Sequence, residues 1–431
     1  MKKANPVPHP GQAARRCAST LALIFVAFSA PATITVSTDF EGGSATIEAL
    51  DPAAQTIRLR PAGDPARGWP CWWYLRVDGL APGSELQVEV LAAAGKIPQT
   101  GPYLGRPLPA SWSQPVRAAW STDGRAWRHT APGEKRAEAM VYRCTAATES
   151  VWLAWGPPFT PRDSAEMCNA LAARHPAAKP FELCKSREGR PCPALRVREG
   201  DKPEAARFGV WVQARQHAWE SGSSWVARGL AEWLISDGPG AAWVRQNAEV
   251  SVVPIMDIDN TAAGHGGKEA LPRDHNRDWS ELPHWNEVSA AQTAIKSLAV
   301  QGRMDVFMDL HNPGPSDRNV SFWIPPRDLL TEPARRNLDR WLAIAPHVFN
   351  GPIPLAPKPR ETGPKYHPLW KQISKQWVVS HGNPHTLAFT VETGWNTPGS
   401  HTDGYLAVGR QLGEALERYL RENPRNFEAG K

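Results

Sequence analysis

Between residues 208 and 419 short, largely apolar runs alternate with stretches of helical period. The apolar runs fall at 208–214, 248–256, 305–310 and 386–391, and the helical patterns at 224–235, 287–300, 333–344 and 405–419. A strand without polar alternation is buried on both faces, and strands interleaved with helices connect most readily as parallel neighbours. This part is therefore predicted to be an α/β domain, with a mixed, largely parallel sheet flanked by helices. In such sheets, sites form where strands deliver residues to loops at their carboxyl ends.

Ahead of it the rhythm differs. Segments of period two at 46–50, 56–60, 72–77, 85–90 and 150–155 are broken by Gly, Pro and Asp, which predicts an antiparallel β-sandwich. The run Gly156-Pro-Pro-Phe-Thr-Pro161 reads as a boundary, giving a sandwich over 33–157 and the α/β domain over 158–425. The chain holds 20 Trp and 42 Pro, which points to extensive aromatic packing or an aromatic-lined surface, and to many fixed turns.

Residues 1–32 read as a signal peptide: Lys2, Lys3, Arg15 and Arg16 precede an apolar run at 21–28 and the small residues of Ala30-Pro-Ala32. The run is shorter than the ~20 residues of a spanning helix, so the expectation is export, to the periplasm or the extracellular space. Removing the leader lowers the formal net charge from +6 to +2, so the basic balance does not argue for nucleic acid. No later segment is apolar enough to cross a bilayer, and no stable membrane span is expected in the mature chain. Export would permit disulfides, with Cys71–Cys144 and Cys168 with Cys184 or Cys192 as candidate pairs. No cysteines have zinc-ribbon spacing.

The predicted strand ends carry chemically useful groups. His217 and Glu220 follow the first, Asn276 and Arg277 come after the second and a Gly-rich loop, His311 follows the third, and Glu392 the fourth. Two imidazoles and a carboxylate suit a catalytic zinc ion, and His217 and Glu220, three apart in an expected first helical turn, would face one side. Each part alone has a plainer reading. His217 and Glu220 could be a helix start favoured by the dipole, His311 a bonded core histidine, Glu392 a cap before Thr393, and Arg277 a partner of Asp278. As a set they combine a metal site, a carboxylate to take a proton from attacking water, and a planar fork with Asn276 beside it to hold a substrate carboxylate.

The segments His217-Ala-Trp-Glu220, Arg273-Asp-His-Asn-Arg-Asp-Trp279, Asp309-Leu-His311 and Thr390-Val-Glu-Thr393 together resemble the motifs of the zinc carboxypeptidases of the funnelin type. The run Gly68-Trp-Pro-Cys-Trp-Trp-Tyr-Leu-Arg-Val77 is similar to the N-terminal domain of the cytosolic carboxypeptidase branch. The resemblance implies one zinc ion per chain on His217, Glu220 and His311, with Glu392 as general base. It also implies that Asn276 and Arg277 grip a peptide's free C-terminal carboxylate, and that Tyr366, the only Tyr between His311 and Glu392, covers the substrate.

The chain also departs from that pattern. Trp219 stands where many digestive members carry Arg, and the oxyanion-stabilising Arg has only Lys268 and Arg273 as candidate substitutes. The interval from Glu220 to His311 is short, which predicts trimmed loops and a more open cleft. The loop residues His265 and His275 are expected in solvent, and Asp257, Asp259 and Asn260 in turn or capping roles. The expected reaction is hydrolysis of a C-terminal peptide amide. The alternatives are a cell-wall peptide amidase or N-acyl amino acid deacylase on the same metal site, or an inactive, Trp-rich secreted binding protein.

Overall fold

The computed structural model describes residues 1–6, 33–98, 101–200 and 207–425. The apolar run and cleavage site of the expected leader lie outside the described residues. Residues 35–154 form two five-stranded sheets. One runs Thr35–Ser37, Tyr74–Asp78, Ser150–Ala154, Ala119–Ser121, Arg128–His129, with every neighbouring pair antiparallel. The other runs Thr46–Asp51, Thr56–Arg60, Glu85–Val90, Ala139–Thr145, Glu134–Arg136, and here Thr56–Arg60 and Glu85–Val90 pair in parallel. Alternate side chains of Thr56–Arg60 and Glu85–Val90 are buried, the half-covered pattern of sheets with one face on a core.

The second unit is an eight-stranded mixed sheet. Its spatial order is Ala178–Lys185, Pro191–Val197, Ala248–Val253, Phe208–Ala214, Met304–His311, Leu387–Thr393, Val320–Ile324, Arg360–Glu361. The four strands in the middle of this order are parallel and buried along their whole length, as their largely apolar runs require. Helices Ser221–Leu234 and Thr402–Arg421 cross at glycines: a Cβ on Gly229 would sit 2.3 Å from the Leu406 carbonyl oxygen, and one on Gly409 2.2 Å from that of Val226. Closeness of backbones, rather than loop geometry, is what these glycines supply.

Several elements escape the periodicity argument, among them helices Pro239–Asn247 and Ser374–His381 and strand Val320–Ile324. Helix Pro161–Arg174 begins at a Thr160/Asp163 capping box, a local signal that its modest apolar content obscures. The hairpin Ala178–Lys185 and Pro191–Val197 lies at the sheet edge, where one face meets water and charged residues interrupt the apolar run. The expected cysteine pairs do not form: Cys71, Cys144, Cys168, Cys184 and Cys192 are free thiols, four of them buried as small apolar residues. Among the described residues, no helix is long and apolar enough to cross a membrane.

A backbone seam joins the two units. Trp69 N–H donates to the Lys268 carbonyl at 3.0 Å, Gly267 N–H to Arg67 at 2.9 Å, and Leu271 N–H to Ala66 at 2.8 Å. A Cβ on Gly68 would fall 2.2 Å from the Gly267 nitrogen, so side chains cannot intervene.

Candidate active site

The strand Phe208–Ala214 ends in a turn that the buried Arg215 organises: its φ is 60°, its Nε donates to the Ala218 carbonyl at 2.8 Å, and an Nη bonds the Phe159 carbonyl. His217 lies in this turn and Glu220 is the N-cap of helix Ser221–Leu234, so both stand before the helix, not in its first turn as the spacing suggested. They still face each other, because Glu220 N–H closes the turn on the His217 carbonyl at 3.1 Å. His311 ends its strand, and the sheet register sets it directly opposite Glu392. Asn312 ties the three segments together, accepting from Ser223 N–H at 3.1 Å and donating to the Thr393 carbonyl at 2.7 Å.

Glu220 bridges the two histidines. Its Oε1 is 2.7 Å from His217 Nδ1 and its Oε2 is 2.7 Å from His311 Nδ1, and all three residues are buried. Nitrogens and oxygens from the set lie within 4.8 Å of one another. The far nitrogens are held by carboxylates: His217 Nε2 is 3.1 Å from Asp274 Oδ1 and His311 Nε2 is 3.0 Å from Asp309 Oδ2. Histidines whose second nitrogen is fixed by a carboxylate present the first with a defined tautomer, which is the arrangement zinc ligands take. The donor set and its orienting carboxylates fit a single zinc ion.

The buried charges of the set act strongly on one another. Burial would raise the Glu220 pKa, but His217 and His311 outweigh it and bring it down to about 2. Burial opposes charge on His311, yet Asp309 and Glu220 hold its pKa well above the usual value. Glu392 is shifted the other way, to about 7, chiefly by burial, and one of its oxygens has no hydrogen-bond partner.

These groups open into a cleft of about 160 Å³ also lined by Asn276, Arg277, Lys268, Lys375 and Tyr366. Arg277 is buried, donates to the Asn276 carbonyl at 2.9 Å, and lies 5.7 Å over the Tyr366 ring. No carboxylate pairs with it among the described residues; Asp278 is reached instead by Arg273, at 3.6 Å. Asn276 is fixed by Ser374 N–H on its Oδ1 at 3.0 Å, and its Nδ2 is 3.2 Å from His311 Nε2. Tyr366 is 43% exposed, at the rim.

The structure separates the two cationic candidates. Lys268 lines the cleft, 3.5 Å from Asp274 Oδ2, whereas Arg273 points away to Ser280 and Asp278. Lys375 was not anticipated: it is 2% exposed, its Nζ donates to Thr390 Oγ1 at 3.1 Å, and burial lowers its pKa to about 7. Nor is the cleft simply open, since Trp69 and Trp112 of the sandwich form part of its wall.

Of the loop residues, Asp257 caps helix Ile258–Ala262 as expected, and His265 is half-buried, accepting from Asp64 N–H at 3.1 Å. His275 is not in solvent. It is buried, stacked on Trp285 at 4.5 Å, between Asp257 at 3.7 Å and Glu287 at 3.9 Å. Burial alone would discharge it; Asp257 and Glu287 raise its pKa to about 9.

Residues 165–302 match the family model described as zinc carboxypeptidase, and residues 36–155 match that of the cytosolic carboxypeptidase N-terminal domain. The chain belongs to the zinc carboxypeptidase family. Within this family it is 30% identical over 140 residues to cytosolic carboxypeptidase 4 of Mus musculus, a match covering 30% of this chain and only 12% of that protein. It is 25% identical over 285 residues to an uncharacterised protein of Zymomonas mobilis, covering 65% of this chain and 67% of that one. Its fold is that of the metallo-carboxypeptidase from Burkholderia cenocepacia, with a TM-score of 0.72 and 21% identity over 90% of this chain and 99% of that one.

Proposed function

We propose that this family member is an exported, zinc-dependent carboxypeptidase that hydrolyses the C-terminal amide bond of a peptide. The observation that carries the reading is the meeting, in one cleft, of a buried His217–Glu220–His311 set, a buried guanidinium with no carboxylate in direct contact among the described residues and its Nε unbonded, and Glu392. Asp274 and Glu269 keep that guanidinium charged from a distance, and its free hydrogen-bonding edge is what a substrate carboxylate would occupy.

One zinc ion, held by His217, Glu220 and His311, would supply Lewis acidity to a water and to the scissile carbonyl. The chain's own groups do the rest. Arg277, with Asn276 beside it, holds the terminal carboxylate and turns a loose encounter into an oriented one. Glu392 takes the proton of the attacking water on its unpartnered oxygen and returns it to the leaving amine. Lys268 faces the charge that develops on the carbonyl oxygen. Lys375, deep beside Thr390, favours a C-terminal side chain that is itself anionic. The basic residues and apolar run at the N-terminus support export.

The test is turnover of a peptide library by the zinc-loaded chain, with each peptide supplied as free acid and as C-terminal amide. Cleavage of free acids alone supports the reading. Turnover confined to N-acyl amino acids or muropeptides would replace it with the deacylase or cell-wall amidase reading, and inactivity on all three would leave the binding protein. N-terminal sequencing of the protein recovered from fractionated cells tests export.

A further inference from the structure

The cleft lining divides by mutual contact into two groups. Arg277 and Tyr366 form one with Trp323, whose ring is 5.5 Å from that of Tyr366. Trp69, Trp112 and Trp219 form the other, with Trp112 4.8 Å from Trp69 and 5.6 Å from Trp219. Trp112 also reaches 3.8 Å from where a Cβ on Gly314 would be.

We propose that the wall of Trp69, Trp112 and Trp219 is a subsite for an apolar side chain on the amino side of the scissile bond, so that the sandwich takes part in choosing the substrate. The inference rests on the carboxypeptidase reading above. If Arg277 holds the terminal carboxylate and the bond is cut at His217, Glu220 and His311, the preceding residue lies beyond those ligands. There Trp219, two residues from His217, begins the aromatic wall.

The wall is rigid. Trp112 Nε1 donates to the Tyr103 hydroxyl at 3.1 Å, and its carbonyl accepts from Trp155 Nε1 at 2.7 Å. Trp219 is braced by Trp155 at 5.3 Å and Trp395 at 6.1 Å. A preformed indole surface binds apolar side chains without an ordering cost. Trp219 thereby has a purpose in a position where a charge would repel such a side chain.

The experiment uses acetyl-Gly-X-Z peptides, with Z fixed at the residue giving fastest turnover and X as Phe, Leu, Ala or Asp. The zinc-loaded chain should show kcat/KM roughly tenfold or more higher for Phe and Leu than for Ala, with Asp lowest. Trp112→Ala should bring the Phe-to-Ala ratio toward one, and Trp112→Phe should retain most of it. Calorimetric titration of the Glu392→Gln chain with the same peptides reads the subsite without turnover, and the Kd values should follow the same order. Cleavage at equal rates, or binding with equal Kd across X, would overturn the subsite. Binding in the expected order with no hydrolysis by wild type would instead overturn the carboxypeptidase reading.

Discussion

Asp309→Asn separates the charge of an orienting carboxylate from its shape. Asp309 is fully buried, and its Oδ2 receives Gln216 Nε2 at 2.6 Å and Ser374 Oγ at 2.5 Å and sits 3.0 Å from His311 Nε2. The asparagine oxygen can occupy the same place and keep those contacts. Its new NH2 would face Gln213 Nε2, 3.4 Å from Oδ1 in the native chain, a donor against a donor. Stability should fall by about 1–2 kcal/mol, the cost of one spoiled buried hydrogen bond, and the fold should survive. What disappears is the negative charge that holds the proton on His311 Nε2 and makes Nδ1 a better ligand. Such partners are worth about 10–100-fold in metal affinity. Because His217 keeps Asp274, the lower part of that range is expected, roughly tenfold to thirtyfold, or about 1.4–2 kcal/mol. Competition with a chromophoric zinc chelator at neutral pH measures it directly. A folded Asp309→Asn chain with wild-type zinc affinity would refute the claim that this carboxylate orients His311.

Glu392→Gln should cut kcat by about 10²–10⁴ while zinc content and peptide affinity stay close to wild type; parallel metal analysis and kinetics check both, and full activity would remove Glu392 from the mechanism. Asp305, bonded twice by Arg425 at 2.7 Å and once by Gly209 N–H at 2.9 Å, should be the strongest acid-sensitive tie far from the cleft. Burial would raise its pKa, but Arg425 and His385 bring it below the ordinary value. Its contribution is therefore fully present above the unfolded value of about 3.9 and fades as pH falls through the lower folded one. Asp305→Asn should cost about 2–4 kcal/mol at neutral pH and flatten the acid loss of Tm; identical pH profiles would contradict this. Gly409→Ala should destabilise by about 1–3 kcal/mol in urea unfolding, since its Cβ meets the Val226 carbonyl at 2.2 Å and this outweighs alanine's better helix propensity.

The four central strands were legible because burial on both faces keeps them largely apolar, their few polar residues such as Asp305 and Asp309 being held in hydrogen bonds, and their helices because an exposed helix cannot be apolar all round. The helix at Pro161–Arg174 and the edge hairpin were not, since partial exposure mixes their patterns. Motif order was enough to name His217, Glu220, His311, Asn276, Arg277 and Glu392, which the structure brings into one cleft. Asp309 and Asp274 stood within the quoted motifs and went unassigned, although an Asp two residues before a candidate ligand on a strand was a usable signal.

By itself, then, the sequence determined the layers, the strand ends and the residue types gathered there, because burial and periodicity are local properties of the chain. The tertiary structure alone decided which aspartates hold the histidines, that Lys268 rather than Arg273 faces the cleft, that Lys375 lies within it, and that tryptophans from the sandwich wall one side. Each of those depends on a distance of a few ångströms between residues far apart in the chain, and common residue types such as Asp, Lys and Trp carry no mark of such a distance until the backbone has closed it.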